Sequence, residues 1–340
     1  MTQAQQLDRR RFIGSSDVAS VLNVDPRRTA VGLWHEKTGR SEPEVDAELE
    51  KFFRRRRRQE PVIAEMLQED YGVRVTRLSY GDPNRYVDPE HDFLAAEIDF
   101  EFLMSPEARA AFPQFAHIPD GETVNGEIKT ANYFVRSKFG EEGTDEVVVE
   151  YVAQAQHGMM VARRRACLLA ALFGLDRLVC YPIVRDDEVV ADLRSRAISF
   201  WRDHVLADVP PEPVNIDDVG MLYSRVNGRR CELSDEAKEA LEQLLDLRVM
   251  MNDGEKKKDE LAFIIANHVR KAWGKGAEIP EQDVDDAVLL WQGRPVATWK
   301  KQRGTSLDQK RLKAEKPEIT EAFTREHWFR VMRRPAKGTA

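Results

Sequence analysis

Apolar residues along this chain recur at two periods, and the switches between them outline a mixed α/β protein. Spacings of three and four predict helices over residues 29–38, with Leu33 and Trp34 inward, and over residues 45–71. In the second, Leu49, Phe52, Phe53, Val62, Ile63, Met66 and Leu67 form one stripe. The same spacing predicts helices over 147–161 and 188–206. Alternating or continuous apolar runs predict strands over 73–80 and 93–102, a strand through Glu127, and two more over 166–173 and 178–184 around the Gly174-Leu175-Asp176 turn. Residues 104–125 hold Pro106, Pro113, Pro119 and Gly121 and read as an insertion. Near the N-terminus, Ser15 or Ser16 can cap a short helix bearing Val18, Val21 and Leu22.

The run Val209-Pro210-Pro211-Glu212-Pro213 ends this pattern and reads as a linker. It divides the chain into a domain over 1–208, a linker over 209–233 and a C-terminal region over 234–340. In that region Ser234 opens a helical stretch to 252, and a second follows Gly254 over 255–273. Together they predict a helical hairpin with Leu241, Leu244, Leu245, Leu261, Ile264 and Ile265 as its seam. Segments 288–292 and 296–300 flank Gly293-Arg294-Pro295 and predict a β-hairpin with Trp291 and Trp299, followed by a basic tail.

Composition narrows this picture. An apolar fraction of 42% over 340 residues supports a sizeable core, and 52 basic against 59 acidic residues give a net charge of −7. That excludes an overall basic coat while leaving room for a basic groove on an acidic body. Residues 300–340 alone carry 12 Lys/Arg and 5 Asp/Glu. Cys167, Cys180 and Cys231 have no metal-ligand spacing and read as reduced thiols. The first six residues lack the apolar core of a signal peptide, and no run approaches the roughly 20 apolar residues of a membrane helix. The expectation is a cytoplasmic protein, in a bacterium or a phage-infected host, with no membrane association.

Candidate chemistry centres on Gly126-Glu127-Ile128-Lys129-Thr130, where an acid and a lysine two apart point to one face of a strand. A second carboxylate can come from Asp99 on the preceding strand, or from Asp120 in Ile118-Pro119-Asp120-Gly121. Two carboxylates beside one ammonium suit a hard cation and a positioned water. Arg54 to Arg58 cover every face of a helix, so some of these arginines must turn toward a groove near Glu60. His91, His117, His157 and His204 lack ligand spacing and read as structural or surface residues.

The order of these pieces resembles a known family. Arg9 with Ile13-Gly14-Ser15-Ser16-Asp17-Val18, Glu60-Pro61, Leu94-Ala95-Ala96-Glu97-Ile98-Asp99, the Glu127 strand, and Tyr151-x-x-Gln154-x-Gln156 together look like the YqaJ-type viral recombinases, relatives of phage lambda exonuclease in the PD-(D/E)XK nuclease superfamily. The likeness spans roughly residues 9–205, and the segment from Ala297 to Glu318 resembles the tail of phage members. It implies a restriction-endonuclease-like α/β core, a central mixed sheet flanked by helices, with a C-terminal helical and β-hairpin extension. It also implies Asp99, Glu127, Glu60 and the Ile128 carbonyl as ligands of Mg2+, with Mn2+ substituting. Lys129 and Gln154 would be catalytic partners, and Arg9, Ser16 and adjacent Ser15 would hold a DNA 5′-phosphate. Two departures stand out: Arg56 occupies a place where the family has a small residue, and no proline precedes the Asp99 element.

The implied activity is 5′→3′ digestion of linear duplex DNA from phosphorylated ends, leaving 3′ single-stranded tails for homologous recombination. A single-strand annealing recombinase and a homo-oligomeric ring are the implied partners. Two alternatives differ in class: a structure-specific endonuclease of the same superfamily, or a non-catalytic DNA-binding scaffold acting through residues 234–340.

Overall fold

Strand formation follows the apolar runs closely. In chain order the strands of the first unit are β1 (Val75–Leu78), β2 (Arg85–Val87), β3 (Ala95–Glu97), β4 (Phe100–Leu103), β5 (Thr123–Ala131), β6 (Ala166–Phe173) and β7 (Arg177–Val184). Five of them form a mixed sheet in the order β1-β4-β5-β6-β7, and β2 pairs with β3 in a small second sheet. Only β5 and β6 are parallel within the five; the other pairs are antiparallel. The helices are α1 (Val18–Val21), α2 (Ala30–Lys37), α3 (Ala47–Arg57), α4 (Glu60–Tyr71), α5 (Pro106–Ala111), α6 (Val149–Ala162), α7 (Asp187–Phe200) and α8 (Ile216–Leu222). This computed structural model describes residues 9–41, 47–80, 84–223, 232–273, 287–299 and 309–324. The chain divides into two units, Met1–Asn227 and Gly228–Ala340, each described by itself.

Alternation along β5 sorts the two faces of the sheet. Val124 and Ile128 face a core built with Ile63, Leu67, Phe100 and Leu168, which leaves Asn125, Glu127 and Lys129 on the opposite face. That second face is covered by α6, whose Met159 packs in one cluster with Leu169 and Ala171 of β6 and Tyr181 of β7. Gly126 has a packing reason: a Cβ there would stand 2.2 Å from the Phe100 ring, so only glycine lets that ring close the core beneath the site.

Several expected elements differ, each for a local reason. The helix expected over 45–71 is two helices, α3 and α4. Pro61 has no N–H to give the Arg57 carbonyl, so the chain breaks at Arg58-Gln59 and restarts. The strand expected over 93–102 divides into β3 and β4, which belong to different sheets, and Ile98 and Asp99 lie at the crossing point. Residues 104–125 are more than an insertion, because Phe112, Phe115 and Ile118 are buried in the main core. Neither Ser15 nor Ser16 caps α1; Asp17 holds that position without a side-chain cap.

The first part of the segment after residue 208, expected as a linker, lies within the first unit. Asp218 of α8 is fully buried, accepting from Thr29 Oγ1 at 2.6 Å and from the Val214 amide at 2.9 Å. In the second unit the expected helical hairpin is one continuous helix, α9 (Asp235–Trp273), running through Gly254. The β-hairpin is present as β8 (Ala287–Trp291) and β9 (Arg294–Trp299), followed by α10 (Gln309–Glu315) and α11 (Pro317–Phe323). Cys231 and most of the basic tail lie outside the described residues.

Candidate active site

The register of the sheet places the acids. Phe100 pairs with Gly126 and Glu101 with Asn125, so Asp99, one step further, falls opposite Glu127. Asp99 Oδ2 accepts from the Ile128 amide at 2.8 Å. Lys129 donates to Glu127 Oε1 at 2.6 Å and to Gln154 Oε1 at 2.9 Å, and Gln154 Nε2 donates to the same Glu127 oxygen at 2.6 Å. Glu127, Lys129 and Gln154 are therefore a closed triangle spanning β5 and α6. Asp120 stands apart at the far end of β5, half exposed and paired with Arg109 at 2.6 Å.

Electrostatics follow from crowding. Burial, and then the Glu127 charge, hold the Asp99 carboxyl well above the ordinary carboxylate range, against the pull of Lys129 and the Ile128 amide. Burial pushes Glu60 up to about 7; Arg57 opposes the shift and Glu127 adds to it. For Lys129, burial disfavours the ammonium, but Glu127 and Asp99 overcome this and raise its pKa. The lysine is thus a fixed cation, suited to offset charge rather than to take a proton. Its ammonium also lies 4.8 Å from the centre of the Tyr151 ring.

Beside them lies a cleft of about 330 Å³ lined by Glu60, Ile128, Lys129, Gln154 and Ser16 among others, with Glu127 buried behind Lys129 and Gln154. Three of its walls were not visible in the sequence. Arg27 lies at the mouth, largely exposed and paired with Asp25 at 3.2 Å; nothing in its spacing marks it. Phe53 and Tyr151 line the cleft, although Phe53 belongs to an apolar stripe that suggests core and the helix spacing gives Tyr151 no role of its own. Of the five consecutive arginines, Arg56 is the one that turns in, donating to the Thr130 carbonyl and lying over the Phe52 ring. It fills the space that a small residue would leave open.

The segment ahead of α1 presents two opposite sides. Ser16 lines the cleft, and Arg9 donates to its hydroxyl at 2.6 Å. Ser15 does not face the cleft: it is buried, and its hydroxyl lies 3.2 Å from His157 Nδ1 on α6. Of the expected grouping of Arg9, Ser15 and Ser16, the structure brings Arg9 to Ser16, whereas Ser15 ties the segment to α6 from behind. Burial lowers the His157 pKa to about 4, with Asp17 and Asp88 opposing the shift, so the imidazole is neutral at pH 7. In the unfolded chain the same group titrates near 6.5. Its stabilising contribution is present above about pH 6.5 and is lost as the pH falls toward 4, by up to about 3 kcal/mol. Urea unfolding at pH 7 and pH 4.5 is expected to show this loss in the parent protein and a clearly smaller one in His157→Gln.

Among the described residues, no three acidic, histidine or cysteine side chains stand close enough to enclose an ion by themselves. No described helix is long and apolar enough to cross a membrane.

Comparison with known proteins finds similarities along the chain. Residues 6–165 match the model of the YqaJ-like viral recombinase domain. The chain is 23% identical to the uncharacterized protein YqaJ of Bacillus subtilis (strain 168) over 331 residues, covering 95% of this chain and 91% of that protein. An alkaline exonuclease from Laribacter hongkongensis aligns at 19% identity over 61% of this chain and 94% of its own, with a TM-score of 0.43. The same enzyme in complex with dAMP aligns at 18% identity over 66% and 98%, with a TM-score of 0.43.

Proposed function

We propose that this YqaJ-like domain is a metal-dependent DNA exonuclease that digests linear duplexes 5′→3′ from phosphorylated ends and leaves 3′ single-stranded tails. The observation that carries the reading is the meeting of Asp99, just ahead of β4, with Glu127 and Lys129 of β5 and Gln154 of α6, beside a cleft that Lys129, Gln154, Glu60 and Ser16 line. The donor set suits a hard cation. Asp99 and Glu127 each keep one oxygen that accepts no hydrogen bond from a described residue, and Mg2+ binds through one or two carboxylates while keeping several waters. Asp99, Glu127, Glu60 and the Ile128 carbonyl would hold Mg2+, or Mn2+ in its place, and the bound ion would neutralise phosphate oxygens and lower the pKa of the attacking water.

The remaining roles belong to the chain itself. Lys129 offsets the charge that grows on the phosphorus-bound oxygens. Gln154 holds Lys129 and Glu127 in register and has an amide to offer water or phosphate. Arg9 and Ser16 bind the 5′-phosphate, whose extra charge over an internal diester favours a terminus. The single-stranded tail would pass to an annealing recombinase, and a ring of subunits would keep the enzyme on its duplex.

End-labelled linear duplexes with 5′-phosphate or 5′-hydroxyl ends, and a covalently closed duplex circle, test this in Mg2+ and in EDTA. The expected result is Mg2+-dependent loss of nucleotides from the 5′ end, at least about tenfold faster with the phosphate, with the circle intact. Equal rates on both ends would overturn the phosphate pocket. Cutting of the circle would replace the exonuclease with an endonuclease, and absence of any metal-dependent cleavage would overturn the enzymatic reading.

A further inference from the structure

Helix α9 carries an apolar face that no described residue covers. Its 39 residues extend about 58 Å at the usual rise. Leu247, Met251, Leu261 and Ile265 are each roughly half exposed or more. These four belong to a longer series with strict alternation of four and three residues, from Ala240 and Leu244 through Gly254 and Lys258 to His268. Such a series is the seam of a two-stranded coiled coil.

The series is symmetric about residue 256, and that symmetry selects an orientation. When two copies run antiparallel, Leu247 meets Ile265 of the other copy, Met251 meets Leu261, Leu244 meets His268, and Gly254 meets Lys258. The smallest side chain then stands opposite the longest, leaving the lysine stem room to cross the seam and reach water. A parallel pair would instead set Lys258 against Lys258. Charge points the same way. Residues 235–254 carry six acidic and two basic side chains, whereas 255–273 carry three acidic and five basic. Antiparallel pairing brings the acidic half of each helix to the basic half of the other, and it opposes the helix dipoles.

A hairpin turning at residues 252–254 would join the same two halves within one chain. The continuous helix through Gly254 forbids that closure and leaves the complementary half to come from elsewhere. We propose that α9 pairs with α9 of a second copy of this chain as an antiparallel coiled coil. The inference does not depend on the nuclease reading.

Full-length protein with Cys231→Ser provides the test, because the two other native cysteines are buried. In this background Met251→Cys, Leu261→Cys and the double variant are oxidised with oxidised glutathione and separated without reductant. Only the double variant is expected to run at twice the chain mass. Covalent dimers from Met251→Cys alone would show a parallel pair and overturn the proposal. A disulfide within a single chain of the double variant would show a hairpin, and absence of any disulfide would show that the face has another occupant; either result also overturns it. Independently, Leu247→Glu with Ile265→Glu is expected to lower the weight-average mass in sedimentation at micromolar concentration while helix content is retained. An unchanged mass counts against the proposal.

Discussion

Cleavage of 5′-phosphorylated linear duplex is expected to fall by roughly 10²–10³-fold when Lys129 is replaced by alanine, while binding of the same duplex changes little. The reasoning rests on the charge state and reach of the ammonium. Glu127 and Asp99 keep it protonated in a partly buried position, where a fixed charge acts on a developing oxyanion more strongly than in water. Ground-state binding of a duplex is spread over many phosphates, so one lost cation in the cleft has little influence on it. Lys129→Arg is not a conservative control, because the longer, planar guanidinium does not fit where the compact Nζ donates to Glu127 Oε1 and Gln154 Oε1. Single-turnover cleavage, with binding measured separately in Ca2+, separates the two effects. Turnover within about tenfold of the parent would remove Lys129 from the reaction.

The strands and the position of the Glu127-Ile128-Lys129 triplet were legible because they rest on local pattern. A nine-residue alternation such as β5 has one way to bury Val124 and Ile128, and that choice fixes where Glu127 and Lys129 point. The position of Asp99 was legible for a different reason: an apolar run leads directly into it. Its competitor Asp120 follows a proline and precedes Gly121, which adopts a positive φ of 79°, so a turn carries it to the surface. What was hidden depends on contacts distant in sequence. The inward turn of Ser15 is set by His157, 142 residues away, and no spacing rule connects them. Arg27 reaches the cleft from the segment between α1 and α2. Asp218 looked like part of a polar linker because its partner Thr29 lies 189 residues earlier.

The C-terminal misreading has a different cause. Asn252-Asp253-Gly254 is a good turn by composition, and a hairpin there satisfies both apolar halves of α9. The same complementarity is satisfied between two chains, so the sequence specifies which surfaces meet without specifying whether they share a backbone. Propensity alone does not decide it, since one glycine costs a helix only about 1 kcal/mol.

Asp17→Asn is expected to destabilise the protein by about 3–5 kcal/mol, a substantial share of the stability of a typical domain. Asp17 is buried and accepts from Lys37 at 2.7 Å, Arg28 at 2.6 Å and the Gly14 amide at 3.0 Å. Burial favours its neutral form, but Lys37, Arg28 and Arg9 outweigh burial and hold the carboxyl well below the ordinary range. Asparagine would leave the fully buried Lys37 ammonium without its counter-charge. The same lysine donates to the Arg9 carbonyl at 2.7 Å, so the ion pair sets the position of the Arg9–Ser16 segment as well as its stability. Two readouts therefore move together. Thermal unfolding should shift downward, and the preference for 5′-phosphate over 5′-hydroxyl ends should narrow at temperatures where Asp17→Asn is still folded. The pH dependence has a defined sign. With the folded-state pKa depressed, the Asp17 contribution is fully present above about pH 4 and is lost as the pH falls below it, a window separate from that of His157. Parent protein should lose stability more steeply than Asp17→Asn between about pH 4 and pH 2, so their unfolding midpoints should converge. Midpoints that stay a constant distance apart over that range would show that the pair is not the source of the stability.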